Sequence, residues 1–412
     1  MPASDVSLPW PSTGMAMILS MLFAQEDLTT VWDSLQIRLA QDPGDAVALH
    51  DLSQILQGLG KTDDALAMLH QALEIRRTFR VVHGTGRGIT LLAFVTAGDF
   101  MANTPVDFLL RGSNTTLLLH YVDAETTTLS GLPPHDVALL AVAESPENAA
   151  VLSAIAPLLK DWPRPVLNNR PETIAALTRD GVPKLLSGLP DIVSPPTWRA
   201  ARADLAAIAN GTRILPNTVD SYEFPLIIRP IGTHAGGGLD RVFSPEDLAR
   251  YLAVEDADDF FVAPFIDYSG PDGRFTKLRI VQIDGKPFAS HLAVSDHWIV
   301  HYLSAGMAED ASKRAIEARW METFDTDFAV RHANALKALH ACFGLDYFGY
   351  DCAELPDGRL LIFEVDIAMV VHDMDSAEVY PYKKPAMRKL FSAFREMMAD
   401  RAGDGVRQPC VA

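Results

Sequence analysis

The feature that most constrains this chain is the run Tyr347-Phe-Gly-Tyr-Asp351-Cys-Ala-Glu-Leu-Pro-Asp-Gly-Arg-Leu-Leu-Ile-Phe-Glu364-Val-Asp366. Pro356-Asp357-Gly358 reads as a turn, so the flanking segments pair as antiparallel strands. Glu364 and Asp366 are two apart and share one face of their strand, and Asp351 lies on the neighbouring strand. Leu360, Ile362, Phe363 and Val365 mark a buried strand, where unpaired charge is costly. Three carboxylates around one spot repel unless a cation sits between them. Hard oxygen ligands there suit Mg²⁺ bridging the phosphates of a nucleotide.

A second run precedes it: Phe224-Pro-Leu-Ile-Ile-Arg229-Pro-Ile-Gly-Thr-His234-Ala-Gly236-Gly237-Gly238. A strand delivers the cation Arg229, and a glycine-rich loop follows. Backbone N–H groups approach phosphate closely only where side chains are absent. Arg229, His234, Gly236, Gly237 and Gly238 are therefore candidate phosphate contacts. Arg229 can fork onto two phosphate oxygens.

Glycine loop followed by acidic pair, in that order, resembles the ATP-grasp enzymes, such as D-alanine ligases, glutathione synthetases and glutamate-adding ligases. The resemblance carries specific motifs over about 165–400 and only architecture over 85–165. It implies ATP and Mg²⁺ as cofactors, with Asp351, Glu364 and Asp366 as metal ligands. Asp366 stands where the family usually has Asn, and Arg229 where it usually has Lys. Asp259-Phe-Phe-Val-Ala263-Pro264-Phe265-Ile-Asp267 resembles the hinge strand whose backbone meets the adenine edge. Ala263-Pro264 replaces a frequent Gln-Glu. Pro264 has no N–H, so Phe265 is the expected donor, and Asp267 or Asp272 the expected ribose contact. Lys184 lies where the family places an earlier ATP-binding Lys. Arg279 matches an Arg that points at the transferred phosphate and offsets charge on an acyl phosphate. His291, His297, Trp298 and His301 fall where the family lines its acceptor site. The implied reaction is ATP-dependent joining of a carboxylate to an amine (or thiol) through an acyl phosphate, releasing ADP and phosphate. A kinase of the same fold and a non-catalytic nucleotide-binding scaffold are the other readings.

The rest of the chain reads as support. Residues 1–80 are expected to be helical. Ala46, Leu49, Leu52 and Leu56 recur at helical spacing, and Ala65, Leu69 and Ala72 repeat the pattern after Gly58-Leu59-Gly60. The stretch from about Asp45 to Ile75 resembles one tetratricopeptide unit. A single copy makes no groove, so it reads as a cap or dimer surface. Residues 81–170 alternate strand and helix: strands at 89–95, 117–122, 137–142 and 165–167, and helices opening at Thr104-Pro105 and Ser145-Pro146. That pattern predicts a parallel sheet covered on both faces. Gly84-Thr-Gly-Arg-Gly88 is placed before the first strand and so does not read as a dinucleotide fingerprint. Residues 171–400 form the ATP-grasp part, in which Asp284-Gly285 closes a hairpin, and 401–412 form a tail. The expected class is thus α/β and α+β, an ATP-grasp fold preceded by a small parallel α/β domain and a helical segment.

The 412 residues are too many for one ordinary domain. A formal charge of −18 argues against nucleic acid and anionic membrane as partners. The expected partners are a small carboxylate and an amine, possibly a peptide, and possibly a second copy of the chain. Cys342, Cys352 and Cys410 show no CxxC spacing, which suggests a reducing, cytoplasmic setting. The apolar run at 14–24 is too short to span a bilayer and reads as a buried helix.

Overall fold

Four helices lead the chain in the computed structural model, which describes residues 10–212, 223–233 and 236–407. They are α1 (Met15–Phe23), α2 (Thr29–Gln41), α3 (Ala46–Gly58) and α4 (Thr62–Ile75). The apolar run at 14–24 is α1, which buries Ile18 beside Ala48, Leu52 and Ile55 of α3. Asp45 caps α3 by accepting the Ala48 N–H at 3.0 Å. Every residue of α3 from Ala46 to Leu56 is buried, as happens when a helix is covered on all sides. Its one ring with polar atoms is satisfied: His50 Nδ1 lies 3.1 Å from Ser12 Oγ, and Nε2 lies 3.1 Å from the Tyr121 hydroxyl.

The helical reading of 26–80 stops short. Residues 78–82 form a strand, β1 (Thr78–Val82), which joins β2 (Thr90–Val95), β3 (Thr116–Tyr121), β4 (Val137–Leu140) and β5 (Val166–Leu167) in one sheet of order β1-β3-β2-β4-β5. β1 is the antiparallel edge; the other pairings are parallel. The Gly84–Gly88 stretch therefore follows a strand, contrary to expectation, but it leads into β2 and not into a helix. Gly84 and Gly86 have φ of +53° and +65° and turn the chain there. Thr104 caps nothing: its N–H goes to the Ala141 carbonyl, and the helix begins at Val106.

Beyond that sheet come β6 (Ile192–Val193), β7 (Trp198–Ala201), β8 (Leu226–Pro230), β9 (Asp240–Val242), β10 (Asp259–Pro264), β11 (Phe275–Ile283), β12 (Lys286–Ser295), β13 (Tyr347–Glu354) and β14 (Leu360–Asp366). They form a four-stranded antiparallel sheet, β7-β10-β8-β9, and a five-stranded sheet, β12-β11-β13-β14-β6. The chain is thus α/β in its first sheet and α+β in the other two, as expected. Asp284 and Gly285 turn the β11–β12 hairpin with φ of 49° and 75°.

Alternation assigns the two faces of the five-stranded sheet. Leu278, Ile280, Leu292, Tyr350 and Val365 enter a shared core, which leaves their sequence neighbours on the other face. The helix Lys383–Arg407 covers another side through Leu390, Phe391, Phe394 and Met397. Its first residue is a buried lysine. Lys383 Nζ donates to Asp375 at 2.8 Å and to the Tyr302 hydroxyl, and lies 3.5 Å from Glu317. Glu317, fully buried, accepts from the Leu292 N–H at 2.9 Å and the Tyr382 hydroxyl at 2.7 Å. Among the described residues no helix is long and apolar enough to cross a membrane.

Candidate functional site

Register places one polar row on a single face of the five-stranded sheet. His291 on β12 lies opposite Arg279 on β11, Arg279 opposite Asp351 on β13, and Asp351 opposite Glu364 on β14. Residues directly opposite share a face and touch. Asp351 is 1% exposed. Arg279 donates to it twice, Nε to Oδ1 at 2.7 Å and Nη2 to Oδ2 at 3.0 Å. Lys277, two residues earlier on the same face, adds Nζ to Oδ2 at 2.8 Å. Burial opposes the Asp351 charge, but Arg279 and Lys277 outweigh it and hold the carboxyl well below the usual range. At the end of the row, burial and then Arg279 keep His291 well below the usual imidazole range, so the ring is neutral. Its Nδ1 is buried and has no hydrogen-bond partner among the described residues.

Glu364 accepts from Arg179 Nη2 at 2.6 Å. Burial and then the Asp351 charge raise its carboxyl; Arg179, helped by Lys277 and Arg279, outweighs them, and the net shift is downward. Asp366 has no such partner among the described residues. It accepts the Ala368 N–H at 2.9 Å. Burial, helped by Glu364 and Glu144, pushes its carboxyl up to about 7.

The four-stranded sheet contributes Arg229 from β8, which is 8% exposed. Burial, then the like charge of Arg179, pushes its guanidinium down to about 10, against the pull of Glu364. Arg179 and its partner Glu364 thus lie near enough to Arg229 for both charges to act on it. Two guanidiniums near one carboxylate carry a net positive charge, which favours an anion. Arg229 also binds its own loop, donating to the Thr233 carbonyl and, from Nε at 3.3 Å, to Thr233 Oγ1.

The other expected residues fare unevenly. Gly236 and Gly238 turn at φ of +81° and +62°. A Cβ on Gly238 would come within 2.6 Å of Pro230 Cδ, so only glycine fits. The loop has an anchor that the sequence did not suggest: the Tyr251 hydroxyl donates to the Gly238 carbonyl at 2.7 Å. Gly237 is exposed, and His234 lies outside the described residues. Ala263 is paired in β10 with Ile227. The Phe265 N–H, expected to meet adenine, donates to the Pro225 carbonyl at 3.0 Å, so the backbone donor is already engaged. Asp267 is exposed and accepts the Ser269 N–H at 2.9 Å, and Asp272 pairs with Arg274. Both lie in the turn past β10. Lys184 sits on the helix Gly181–Leu186 with a side chain 71% exposed and pairs with Asp180 at 3.0 Å; it is a surface cation here.

The three acids share a face as the spacing implied, but each acid's surroundings differ from the expectation of a joint magnesium site. Among the described residues no three His, Cys, Asp or Glu side chains are grouped for a metal ion. Three charge-assisted donors engage both Asp351 oxygens, and Glu364 is paired with Arg179. Asp351, Glu364 and Asp366 therefore do not fit Mg²⁺ as a common ligand set. The sequence showed the acids without the cations that reach them from other elements. Lys277 was legible, because a two-residue spacing puts it on the face of Arg279. Arg179 and Glu144 were not, since they come from other elements and carry no motif.

No protein-family model matches this sequence, and no curated protein does. Solved structures are similar in outline. A D-alanine–D-alanine ligase from Bacillus anthracis is 13% identical, with a TM-score of 0.46 over 77% of this chain and 99% of that one. The VanG D-Ala:D-Ser ligase from Enterococcus faecalis is 12% identical, with a TM-score of 0.44 over 76% of this chain and 100% of that one. A RimK domain ATP-grasp protein from Sphaerobacter thermophilus is 17% identical, with a TM-score of 0.38 over 76% of this chain and 99% of that one. At such values the chemistry has to be read from the site's own residues.

Proposed function

We propose that this protein is an ATP-grasp ligase that binds ATP between its two C-terminal sheets, activates a carboxylate with it, and passes the acyl group to an amine. The observation that carries the reading is the convergence of Arg179 and Arg229 from different elements beside the Lys277–Arg279 pair. Four cations near Asp351 and Glu364 make a place where a polyanion replaces repulsion with charge-assisted hydrogen bonds.

In the first step a substrate carboxylate oxygen attacks the γ-phosphorus. The new O–P bond forms as the bond to the ADP oxygen breaks. In the second step the amine lone pair attacks the acyl carbon, phosphate leaves with the bonding electrons, and the amine gives up a proton. The chain's residues position and neutralise. Arg229 and the glycine loop hold the phosphates, and Arg279 faces the oxygens on which charge builds. None of these roles requires a covalent enzyme intermediate. The same cations also serve a kinase, and the products separate the two readings.

The test is ADP release over pooled carboxylates and amines. A ligase releases ADP fully only when both substrates are present and yields an amide. A stable phosphorylated product without any amine reassigns the protein to phosphoryl transfer. Failure of the wild type to bind ATP at all rejects the proposal.

A further inference from the structure

The acid in the middle of the polar row behaves unlike its two neighbours. Glu364 and Asp366 are partly exposed, and one side-chain pair or one backbone N–H accounts for each. Asp351 is enclosed between two strands, and both of its oxygens are taken. Its partner Arg279 is fixed opposite it by the β11–β13 register, so the pair is built into the sheet and is not a surface contact. Arg279 is held from the other side as well, where Nη1 donates to the Val370 carbonyl at 3.3 Å. A divalent ion at Asp351 would compete with an arginine that has no other carboxylate partner among the described residues. By contrast, the side chains of Lys277 and Arg279 keep 19% and 17% of their surface exposed. Lys277 has two further N–H donors free of the Asp351 bond.

Resting on the ATP reading above, we propose that Asp351 is a positioning residue that locks Lys277 and Arg279 side by side as a fixed dication for the nucleotide phosphates, and that it is not a metal ligand. Without Asp351 the two like charges repel and the long side chains regain their rotamer freedom. With it they are aligned in advance, and a phosphate meets preset donors.

The experiment measures two affinities on the full chain. One is AMP-PNP binding by calorimetry in excess EDTA. The other is Mn²⁺ binding by electron paramagnetic resonance, with and without saturating AMP-PNP. Asp351→Asn should weaken metal-free AMP-PNP binding about tenfold and leave Mn²⁺ affinity within about threefold of wild type. Lys277→Met should do the same, and the double variant should lose less than the product of the two single losses, because the residues act as one unit. A merely structural role would not give that coupling. Unchanged nucleotide affinity in EDTA together with a tenfold loss of Mn²⁺ affinity in Asp351→Asn overturns the proposal. Should Asp351→Asn fail to fold, Lys277→Met decides alone: were Asp351 a metal ligand, freeing it of a lysine would tighten Mn²⁺ binding, and a tenfold gain overturns the proposal. If wild type binds no AMP-PNP under either condition, the ATP reading falls by itself. The phosphate role of the dication falls with it, and Mn²⁺ affinity without nucleotide then judges the metal claim: loss in the Asn variant overturns it, and equality upholds it.

Discussion

Arg179 and Glu364 are 185 residues apart in sequence, yet their side chains meet at 2.6 Å at the mouth of the candidate site. Both are about a third exposed, with side-chain values of 29% and 32%. An ion pair that wet contributes little to folding, about 0–1 kcal/mol. Its importance lies in what it places next to Arg229.

Arg179→Met should therefore separate binding from stability. We expect the melting temperature to stay within about 2 °C of wild type, the range for ΔΔG below 1 kcal/mol in a large domain. ATP affinity should fall about tenfold, or about 1.4 kcal/mol. Calorimetry beside a thermal melt measures both. A large loss of stability with normal ATP binding would show that Arg179 is a structural pair and no more.

Asp366 ties the site to pH. Its folded value of about 7 lies above the ordinary aspartate value of 3.8. The fold thus favours the neutral form. The stability this contributes is complete below about pH 4 and is lost as pH rises through 7. ATP affinity should follow the same direction, tighter at pH 6 than at pH 8, because the neutral acid removes a negative charge near the phosphates. Asp366→Asn should flatten that dependence, tighten ATP binding at pH 8 and retain activity. Tenfold weaker binding in the variant would give Asp366 a direct contact role instead.

The buried cluster under the C-terminal helix offers a stability test. Lys383→Met leaves Glu317 and Asp375 without their cation in a place that is 0% exposed at Glu317. Removing one member of such a pair costs about 3–5 kcal/mol. Urea unfolding should show that loss. A loss below 1 kcal/mol would mean that the acids simply take up protons.

The glycine loop should respond to ligand. Gly236, Gly237 and Gly238 carry no side chains, and ordering them costs about 1–2 kcal/mol each. Phosphate oxygens accepting their N–H groups would offset that cost. Amide exchange at 236–238 is expected to slow at least tenfold on adding Mg-ATP, and Gly237→Val to lower turnover far more than stability. Equal protection with and without nucleotide would make this a fixed turn held by Tyr251 and Arg229.

Local chemistry made some elements legible. The Asp284-Gly285 and Pro356-Asp357-Gly358 turns announce their hairpins, and the apolar runs of β2 and β4 announce a buried parallel sheet. Two-residue spacing put Glu364 with Asp366 on one face. β1 escaped notice because Thr78–Val82 is a short edge strand directly after a helix, with only alternate residues buried. The ion pairs escaped for a different reason. Arg179–Glu364 and Arg279–Asp351 are contacts between remote elements, and no local pattern says which cation an acid will meet. The same holds for the Phe265 N–H, whose acceptor Pro225 lies just before β8.

The two-residue strand β6 deserves a last word. It pairs parallel with the start of β14 and so belongs to the five-stranded sheet, whereas β7, which opens the four-stranded one, begins at Trp198. Only residues 194–197, including Pro195 and Pro196, lie between them. The two sheets are therefore joined here by a short, stiff pivot, and again by the longer link between β10 and β11. Arg179 precedes the pivot on one side and Arg229 follows on the other. Any rotation about that pivot changes the gap between the two guanidiniums, and an anion held by both would set the angle at which the sheets rest.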